Sequence, residues 1–214
     1  MSKYPQNTCS KDWKKNKRMY EECMGEDSFN YDKFYNGLNY CTPAFHLKLH
    51  NYYDLCMQYL KKGDKWLDVG CGCGYILSNS IKDGIEPYGI EIVDKSVKLA
   101  KQRNIKAVKC SACETYPFAD EYFDFITSID VLEHLLKEDV SRALKEIYRV
   151  LKHGKYLLLA SCTGDPNNLR PETDWKRYYH LTYQSIGDWV KTYEEHNFVF
   201  VKQNKPYGVF LKKL

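Results

Sequence analysis

Short apolar runs alternate with amphipathic segments along the chain from Lys65 onward. The runs are apolar at nearly every position, which is typical of strands buried on both faces of a parallel sheet. The segments between them repeat apolar residues at helical spacing. The predicted strands are 66–70, 88–92, 106–110, 123–129 and 156–161, and the predicted helices are 75–82, 95–102 and 139–151. This alternation predicts an α/β fold with a parallel sheet and right-handed crossovers.

The N-terminal part of the chain has a different pattern. Thr42 and Pro43 supply a capping side chain and a proline at the first helical position, which predicts a helix over 42–61 that Gly63 closes. Before this helix, a basic run, an acidic run and closely spaced aromatic residues follow one another. We interpret residues 1–41 as an N-terminal helical extension outside the main domain.

The C-terminal part adds one helix and two strands. After a polar loop at 164–177, a helix is predicted from the apolar face formed by Ile186, Trp189, Val190 and Tyr193. Strands at 198–203 and 207–212 are joined by so short a connection that they predict an antiparallel hairpin. The expected domain, over 42–214, is therefore a Rossmann-like α/β fold with seven strands in a mostly parallel sheet that ends in this hairpin.

Composition limits the class of protein. Of the 214 residues, 43% are apolar and 28% are charged, which is typical of a globular protein and excludes a disordered one. Lys and Arg total 32 against 28 Asp and Glu, and the resulting net charge of +4 is far from the single-sign balance typical of nucleic-acid binders, so net charge does not identify a partner. A nucleic-acid partner is not expected, because the acidic run at 21–27 follows the basic run at 11–18. The longest apolar stretch is too short to cross a bilayer, so no membrane partner is expected.

The nine cysteines bear on the cellular compartment. Their number is odd, and they occur singly as well as in two close pairs. This usage predicts free thiols in a reducing compartment, not a disulfide framework. The first residues also lack the apolar core of a signal peptide. We therefore expect a cytoplasmic protein.

The run LDVGCGCGY holds the strongest chemical signal. Gly70, Gly72 and Gly74 lie between a predicted strand and a predicted helix, where the missing Cβ atoms let the backbone turn sharply and a ligand approach the helix N-terminus. Asp68 precedes this turn. Glu91 ends the next strand about twenty residues later, and an acid at that place accepts hydrogen bonds from both hydroxyls of a ribose.

With these residues the sequence resembles the class I S-adenosylmethionine-dependent methyltransferases. The further motifs that carry the resemblance are GIE at 89–91, SACE and PF within 111–118, SIDVLEH at 128–134 and LKHG at 151–154. The resemblance implies S-adenosylmethionine as the cofactor. The cofactor-binding residues that it implies are Asp68, Gly70, Cys71, Gly72, Gly74, Glu91, Ile92, Ala112, Cys113, Asp130 and Val131. The alternative is a Rossmann-like domain for another nucleotide, or one whose site has decayed.

The candidate catalytic residues are Glu133, His134 and His180, which follow the fourth and fifth strands. In one interpretation a histidine acts as general base on the acceptor. In the second, Asp130 joins these three residues in a divalent metal site, a pattern similar to ubiquinone-pathway and small-RNA methyltransferases, although Asp130 stands where a Glu is more usual. In the third, the motif is only the helical turn after the fourth strand. A zinc site on the paired cysteines is disfavoured because zinc there would obstruct the cofactor.

Aromatic residues point to the acceptor. In the family that the sequence resembles, the segments before the domain and after the fifth strand form a lid, so residues 1–41 are also the expected acceptor lid. The predicted acceptor-binding residues are Tyr31, Tyr35, Tyr40, Arg170, Trp175, Tyr178 and Tyr179. Ordinary packing of aromatic residues is the alternative explanation.

These observations favour methyl transfer to oxygen or nitrogen of a small molecule such as a sugar, a metabolite or a natural-product intermediate. An RNA or protein methyltransferase is the alternative of the same class. A non-catalytic cofactor-binding subunit that needs a partner is the alternative of a different class. A homodimer is left open.

Overall fold

The computed structural model describes residues 50–161, 180–182, 184–204 and 208–213. The predicted extension over 1–41, the first part of the helix over 42–61 and the loop at 164–177 lie outside the described residues. So do the seven predicted acceptor-binding residues.

The described elements alternate as the apolar pattern predicts. The helices are α1 (His50–Cys56), α2 (Tyr75–Ser80), α3 (Asp94–Gln102), α4 (Lys137–Val150) and α5 (Ile186–Glu194). The strands are β1 (Lys65–Val69), β2 (Glu86–Glu91), β3 (Lys106–Lys109), β4 (Phe123–Ile129), β5 (Leu151–Ala160), β6 (Phe198–Asn204) and β7 (Gly208–Lys213). Two short 3₁₀ turns occupy Ile81–Asp83 and Leu132–His134.

The strands lie in the order β3-β2-β1-β4-β5-β7-β6. The five strands from β3 to β5 are parallel, whereas β7 is antiparallel to both of its neighbours. The predicted Rossmann-like α/β fold with a parallel sheet is therefore confirmed, with five strands in its parallel part. β6 pairs with β7 and not with a strand of the parallel part. Strand order reverses between β1 and β4, and the crevice at their carboxyl ends is where such sheets bind ligands.

Apolar residues fill both faces of the sheet, because successive side chains of a strand point to opposite sides. On β5, Leu157 and Leu159 pack with buried residues of α4 and α5, whereas Leu158 and Ala160 pack with those of α1, α2 and α3. All four residues have no exposed surface. The sheet is therefore covered on both faces, which explains why its strands are almost continuously apolar.

Two element boundaries differ most from the predicted ones. The helix predicted to continue to residue 61 ends at Cys56, because the backbone after it folds into turns in which Tyr59 N donates to Cys56 O at 3.0 Å. Strand β5 begins at Leu151, five residues earlier than predicted, because Leu151 already pairs with Phe123 of β4. Both differences depend on contacts with distant parts of the chain or on local turns that apolar spacing does not encode.

Gly89 of β2 provides a test of how closely the elements pack. An alanine there would bring its Cβ to 2.8 Å from Cys71 Cβ and closer still to Cys71 Sγ. We expect Gly89→Ala to lower the free energy of unfolding by about 1–3 kcal/mol, since overpacking forces neighbouring atoms to move. Urea denaturation followed by circular dichroism measures this change.

Gly187→Ala is the matched control for this substitution. Gly187 lies in α5, and its added Cβ would meet nothing closer than Ser185 Oγ at 3.8 Å. Alanine is the better helix former, so this variant should be as stable as the native protein or more stable. Equal effects of the two substitutions would show that Gly89 is not tightly packed.

Candidate functional site

The turn after β1 has the left-handed backbone that its glycines allow. Gly70, Gly72 and Gly74 have φ angles of 75°, 52° and 74°. A Cβ on Gly70 would overlap the side chain of Val131, and one on Gly74 would come within 2.8 Å of Ile105 Cγ1. Both the backbone conformation and the close neighbours therefore require glycine at Gly70 and Gly74.

Glu91 connects this turn to the end of β2. Its Oε2 accepts a hydrogen bond from Gly72 N at 2.9 Å, and its Oε1 accepts one from Val93 N, also at 2.9 Å. The side chain is buried, and backbone N–H donors are the natural partners of a buried carboxylate. Glu91 thus holds the glycine turn against the strand that follows it.

A cavity of about 340 Å³ opens beside Glu91. This volume lies within the range of small-molecule sites. Eight of the residues predicted to bind cofactor or to act in catalysis line it: Gly70, Glu91, Ile92, Ala112, Cys113, Asp130, Val131 and His134. A carboxylate acceptor beside apolar walls fits the ribose and base of the nucleoside cofactor that the resemblance implies.

The other predicted cofactor residues lie behind the cavity wall. Cys71 is buried against Gly89, and Gly74 packs on α3 and the segment after it. Gly72 faces the site through the hydrogen bond from its N–H to Glu91. Asp68 is buried below the turn, where its Oδ1 accepts a 2.6 Å hydrogen bond from Thr127 Oγ1. These residues therefore shape the turn and do not line the cavity.

The burial of Asp68 makes stability depend on pH. Burial raises the pKa of Asp68 to about 7; the hydrogen bond from Thr127 opposes this rise, and the charge of Glu91 adds to it. The unfolded chain loses this proton near the ordinary value of 3.8, whereas the folded protein keeps it until about pH 7. Because the folded state then binds more protons, stability falls between these two pH values.

Asp68→Asn removes this titration while its Oδ1 keeps an acceptor for Thr127. We expect the free energy of unfolding of the native protein to fall by about 2–3 kcal/mol between pH 5 and pH 7.5 relative to that of the variant. Chemical denaturation of both proteins at the two pH values measures the difference. Parallel curves for the two proteins would contradict the buried, protonated state of Asp68.

Asp130 follows β4 with an unusual backbone. Its φ angle is 53°, and its N–H donates to Ala160 O at 2.7 Å. A side chain other than that of glycine is strained in this region, and such residues cluster at functional sites. Asp130 is exposed and lines the cavity.

His134 and His180 meet at the same edge of the sheet. Their ring centroids are 4.8 Å apart, and the rings are inclined by 75°. Glu133 O accepts hydrogen bonds from Leu181 N at 2.7 Å and from Thr182 N at 3.1 Å. These bonds hold the segment around His180 on the turn after β4. His134 lines the cavity, whereas His180 is buried behind it.

The ligand-capable atoms of Glu133, His134 and His180 all lie within 4.8 Å of one another, and Asp130 is not part of this group. The metal site that the sequence suggested had four residues, and the structure reduces it to Glu133, His134 and His180. The comparisons below give no support for a metal, and the function proposed below does not use one. Methyl transfer that survives chelation would exclude a metal role.

The described cysteines differ in bonding. Cys56, Cys71, Cys110 and Cys113 are free thiols, as predicted. Cys73 is disulfide-bonded, which corrects the expectation of a free thiol at this position. With Cys73 in a disulfide, the two cysteine pairs do not supply four thiolates for zinc.

Two exposed leucines are among the cavity residues that were not predicted from the sequence. Leu136 and Leu181 line the cavity although their side chains are 54% and 49% exposed. Each follows a candidate catalytic histidine closely in the chain, and this shared position is the signal that could have identified them.

Among the described helices, none is both long and apolar enough to cross a membrane.

Residues 67–159 match the model of the methyltransferase domain family. An uncharacterized methyltransferase of Schizosaccharomyces pombe is 35% identical over 127 residues, which are 50% of this chain and 45% of that protein. The human protein named probable tRNA methyltransferase 9B is 35% identical over 104 residues, which are 48% of this chain and 22% of that protein. This chain thus spans less than half the length of these relatives.

Solved structures share the fold. The PH0226 protein from Pyrococcus horikoshii OT3 superposes with a TM-score of 0.70 at 17% identity, covering 86% of this chain and 100% of that chain. A chain from the complex between the Haloferax volcanii Trm112 methyltransferase activator and a methyltransferase gives a TM-score of 0.62 at 17% identity. The superposition covers 78% of this chain and 77% of that chain. The expectation that no nucleic acid is a partner is not supported by these relatives, one of which is named probable tRNA methyltransferase 9B.

Proposed function

Because residues 67–159 match the model of the methyltransferase domain family, we propose that the chain transfers a methyl group from S-adenosylmethionine to an oxygen or nitrogen of a small-molecule acceptor. The family implies S-adenosylmethionine as the cofactor, which when bound supplies an electrophilic methyl group on a sulfonium sulfur. Little chemistry remains for the protein beyond binding, orienting the acceptor, excluding water and accepting a proton.

One observation carries this proposal: Glu91 and His134 line the same cavity. Glu91, at the end of β2, presents a carboxylate that suits the ribose hydroxyls. Ile92 and Ala112 supply apolar surface of the kind that a nucleobase packs against. His134, in the turn after β4, brings an imidazole to this same space. A group for binding the nucleoside and a group for proton transfer are thus held in one site.

His134 is the proposed general base. A ring nitrogen of His134 takes the proton from the acceptor hydroxyl or amine as the new bond to the methyl group forms. The inclined ring of His180 packs against it, and the hydrogen bonds from Leu181 and Thr182 to Glu133 O fix the position of this pair. His180 and Glu133 are therefore proposed to position His134.

The charge of the cavity favours a small neutral or cationic acceptor. Among its described lining residues, the charged side chains are the carboxylates of Glu91, Asp130 and Asp139, and no Lys or Arg is present. Asp139 forms an ion pair with the exposed Arg142. A phosphate backbone would be repelled by this charge. Leu136 and Leu181 offer apolar contact at the same cavity.

A tRNA methyltransferase is the second candidate function. The relative named probable tRNA methyltransferase 9B and the neighbour from a complex with a methyltransferase activator favour it. In that case this chain would need surfaces outside the cavity for RNA and for an activator protein. A non-catalytic subunit, a homodimer and the cytoplasmic location stay predictions.

The test uses the full chain and methyl-labelled S-adenosylmethionine. The protein and the labelled cofactor are incubated with a metabolite extract or with total tRNA, each with and without a Trm112-type activator protein. We expect label in the metabolite fraction without the activator. Label only in tRNA would overturn the small-molecule proposal in favour of the second candidate. Cofactor binding in calorimetry without transfer to either extract would favour the non-catalytic subunit.

A further inference from the structure

Two free thiols lie in the wall of the proposed cofactor cavity. Cys110 directly follows β3 and is buried, and its N–H donates to Glu91 O at 3.1 Å. Cys113 lies three residues later and is half-buried. Both line the cavity, on either side of Ala112. The glycine turn and the proposed base account for methyl transfer without using either thiol.

We propose that Cys110 and Cys113 form a redox-sensitive pair whose oxidation to a disulfide by a low-molecular-weight disulfide, such as glutathione disulfide, weakens cofactor binding. This inference rests on the proposed function in so far as the cavity holds S-adenosylmethionine. It adds a modification site, and with it a way to turn the activity down under oxidising conditions.

The local geometry places the two thiols on one short turn. Cys113 Sγ lies 3.3 Å from Ser111 Oγ, and Cys110 Sγ donates to Ser111 O at 3.4 Å. Glu114 N donates to Ser111 O at 3.2 Å, which closes the turn. The spacing Cys-x-x-Cys is that of redox-active dithiols. A disulfide needs about 4 Å between the two Cβ atoms, so its formation requires this turn to rearrange.

The different exposure of the two thiols sets the order of the reaction. The more accessible Cys113 thiolate attacks glutathione disulfide, releases one glutathione thiolate and forms a mixed disulfide. Cys110 then gives its proton to solvent, attacks the Cys113 sulfur and releases the second glutathione. The protein loses two electrons and two protons, and glutathione disulfide is reduced to two molecules of glutathione.

The second step should be the slow one. Burial raises the pKa of the Cys110 thiol to about 11, and the carboxylates of Glu114 and Glu146 and the Cys113 thiol add to this rise. Since the thiolate is the attacking form, ring closure should become faster as pH increases toward that value. The pair is therefore expected to respond to sustained oxidation and not to brief exposure.

The disulfide would change the cavity wall. Joining the two sulfur atoms removes the contact of Cys113 with Ser111 Oγ and the hydrogen bond from Cys110 to Ser111 O. Ala112 lies between the bonded residues, so its backbone must move with them. Because this segment lines the cavity, the oxidised form should bind S-adenosylmethionine about tenfold more weakly.

The experiment incubates the full chain with glutathione disulfide or with reduced glutathione, and then measures S-adenosylmethionine affinity by calorimetry. Trypsin releases residues 110–137 as one peptide that contains Cys110, Cys113 and no other cysteine. Mass spectrometry of this peptide should show the loss of two hydrogen atoms after oxidation. For each protein, the ratio of the affinities after the two treatments is the quantity compared.

Cys113→Ser should bring this ratio close to one. Cys110→Ser should stop at the mixed disulfide on Cys113, which the mass of the peptide shows. Cys56→Ser, which removes a buried thiol from α1, should keep the native ratio. A peptide that stays reduced, or a disulfide that forms without changing the affinity, would overturn the proposal. A ratio that persists in Cys113→Ser would overturn it as well, by assigning the response to other cysteines. Failure of the reduced protein to bind cofactor would contradict the proposed function instead.

Discussion

Glu91→Ala should weaken S-adenosylmethionine binding by about 100-fold or more. The carboxylate accepts hydrogen bonds from Gly72 N and Val93 N, and a bond to a charged group contributes about 1.5–3 kcal/mol. Its loss removes the acceptor that shapes the glycine turn and the proposed acceptor for the ribose. Two such bonds, one to each ribose hydroxyl, correspond to at least about two orders of magnitude in affinity. Calorimetric titration of the purified variant with S-adenosylmethionine measures the loss.

Two variants make this result specific. Glu91→Gln keeps one acceptor oxygen and should fall between the native protein and the alanine variant. Glu86→Gln is the matched control, because Glu86 begins the same strand, far from the cavity, and pairs with the exposed Lys106 at 2.9 Å. It should bind cofactor as the native protein does. Native affinity in Glu91→Ala would show that the cofactor does not use this carboxylate.

His134→Gln should lower kcat by about 100-fold to 10,000-fold, which is the usual contribution of a general base. Glutamine fills a similar volume but does not accept a proton at neutral pH. Cofactor affinity in calorimetry should stay close to that of the native protein, because the proposed role of His134 is in proton transfer. The measurement is the rate of label transfer to the acceptor identified in the extract assay.

His153→Gln is the control for this substitution, since His153 is exposed and pairs with Glu121. It should leave the rate unchanged. The pH dependence gives a second readout: the native rate should rise with pH as the base loses its proton, and this rise should be absent in His134→Gln. A native rate in His134→Gln would assign the motif to an ordinary turn after β4.

The fold was predictable because burial acts on each element separately. The α4 face formed by Val140, Ala143, Leu144, Ile147 and Val150 is buried as its spacing predicts. Such a stripe needs a core to pack against, whatever the rest of the chain does. The start of β5 was missed because residues 151–155 contain polar side chains, and their pairing with β4 depends on backbone hydrogen bonds that every residue type can form.

The site was predictable where a residue type is required by the backbone or by charge. The left-handed turn demands glycine at Gly70 and Gly74, and Glu91 follows from the spacing between this turn and the end of β2. Leu136 and Leu181 were missed because an isolated leucine carries no chemical signature until the fold brings it to a cavity. The contact between His134 and His180 likewise depends on hydrogen bonds to Glu133 O that the sequence does not display.

The position of β7 between β5 and β6 sets an order of assembly. Strand β6 is synthesised before β7, yet it reaches the parallel part of the sheet only through β7. During synthesis β6 must therefore wait, with Val199 and Phe200 not yet paired in the sheet, until β7 has left the ribosome. The parallel strands that carry the glycine turn and Glu91 do not depend on this step. The cofactor half of the domain can thus take shape before the outer edge of the sheet closes.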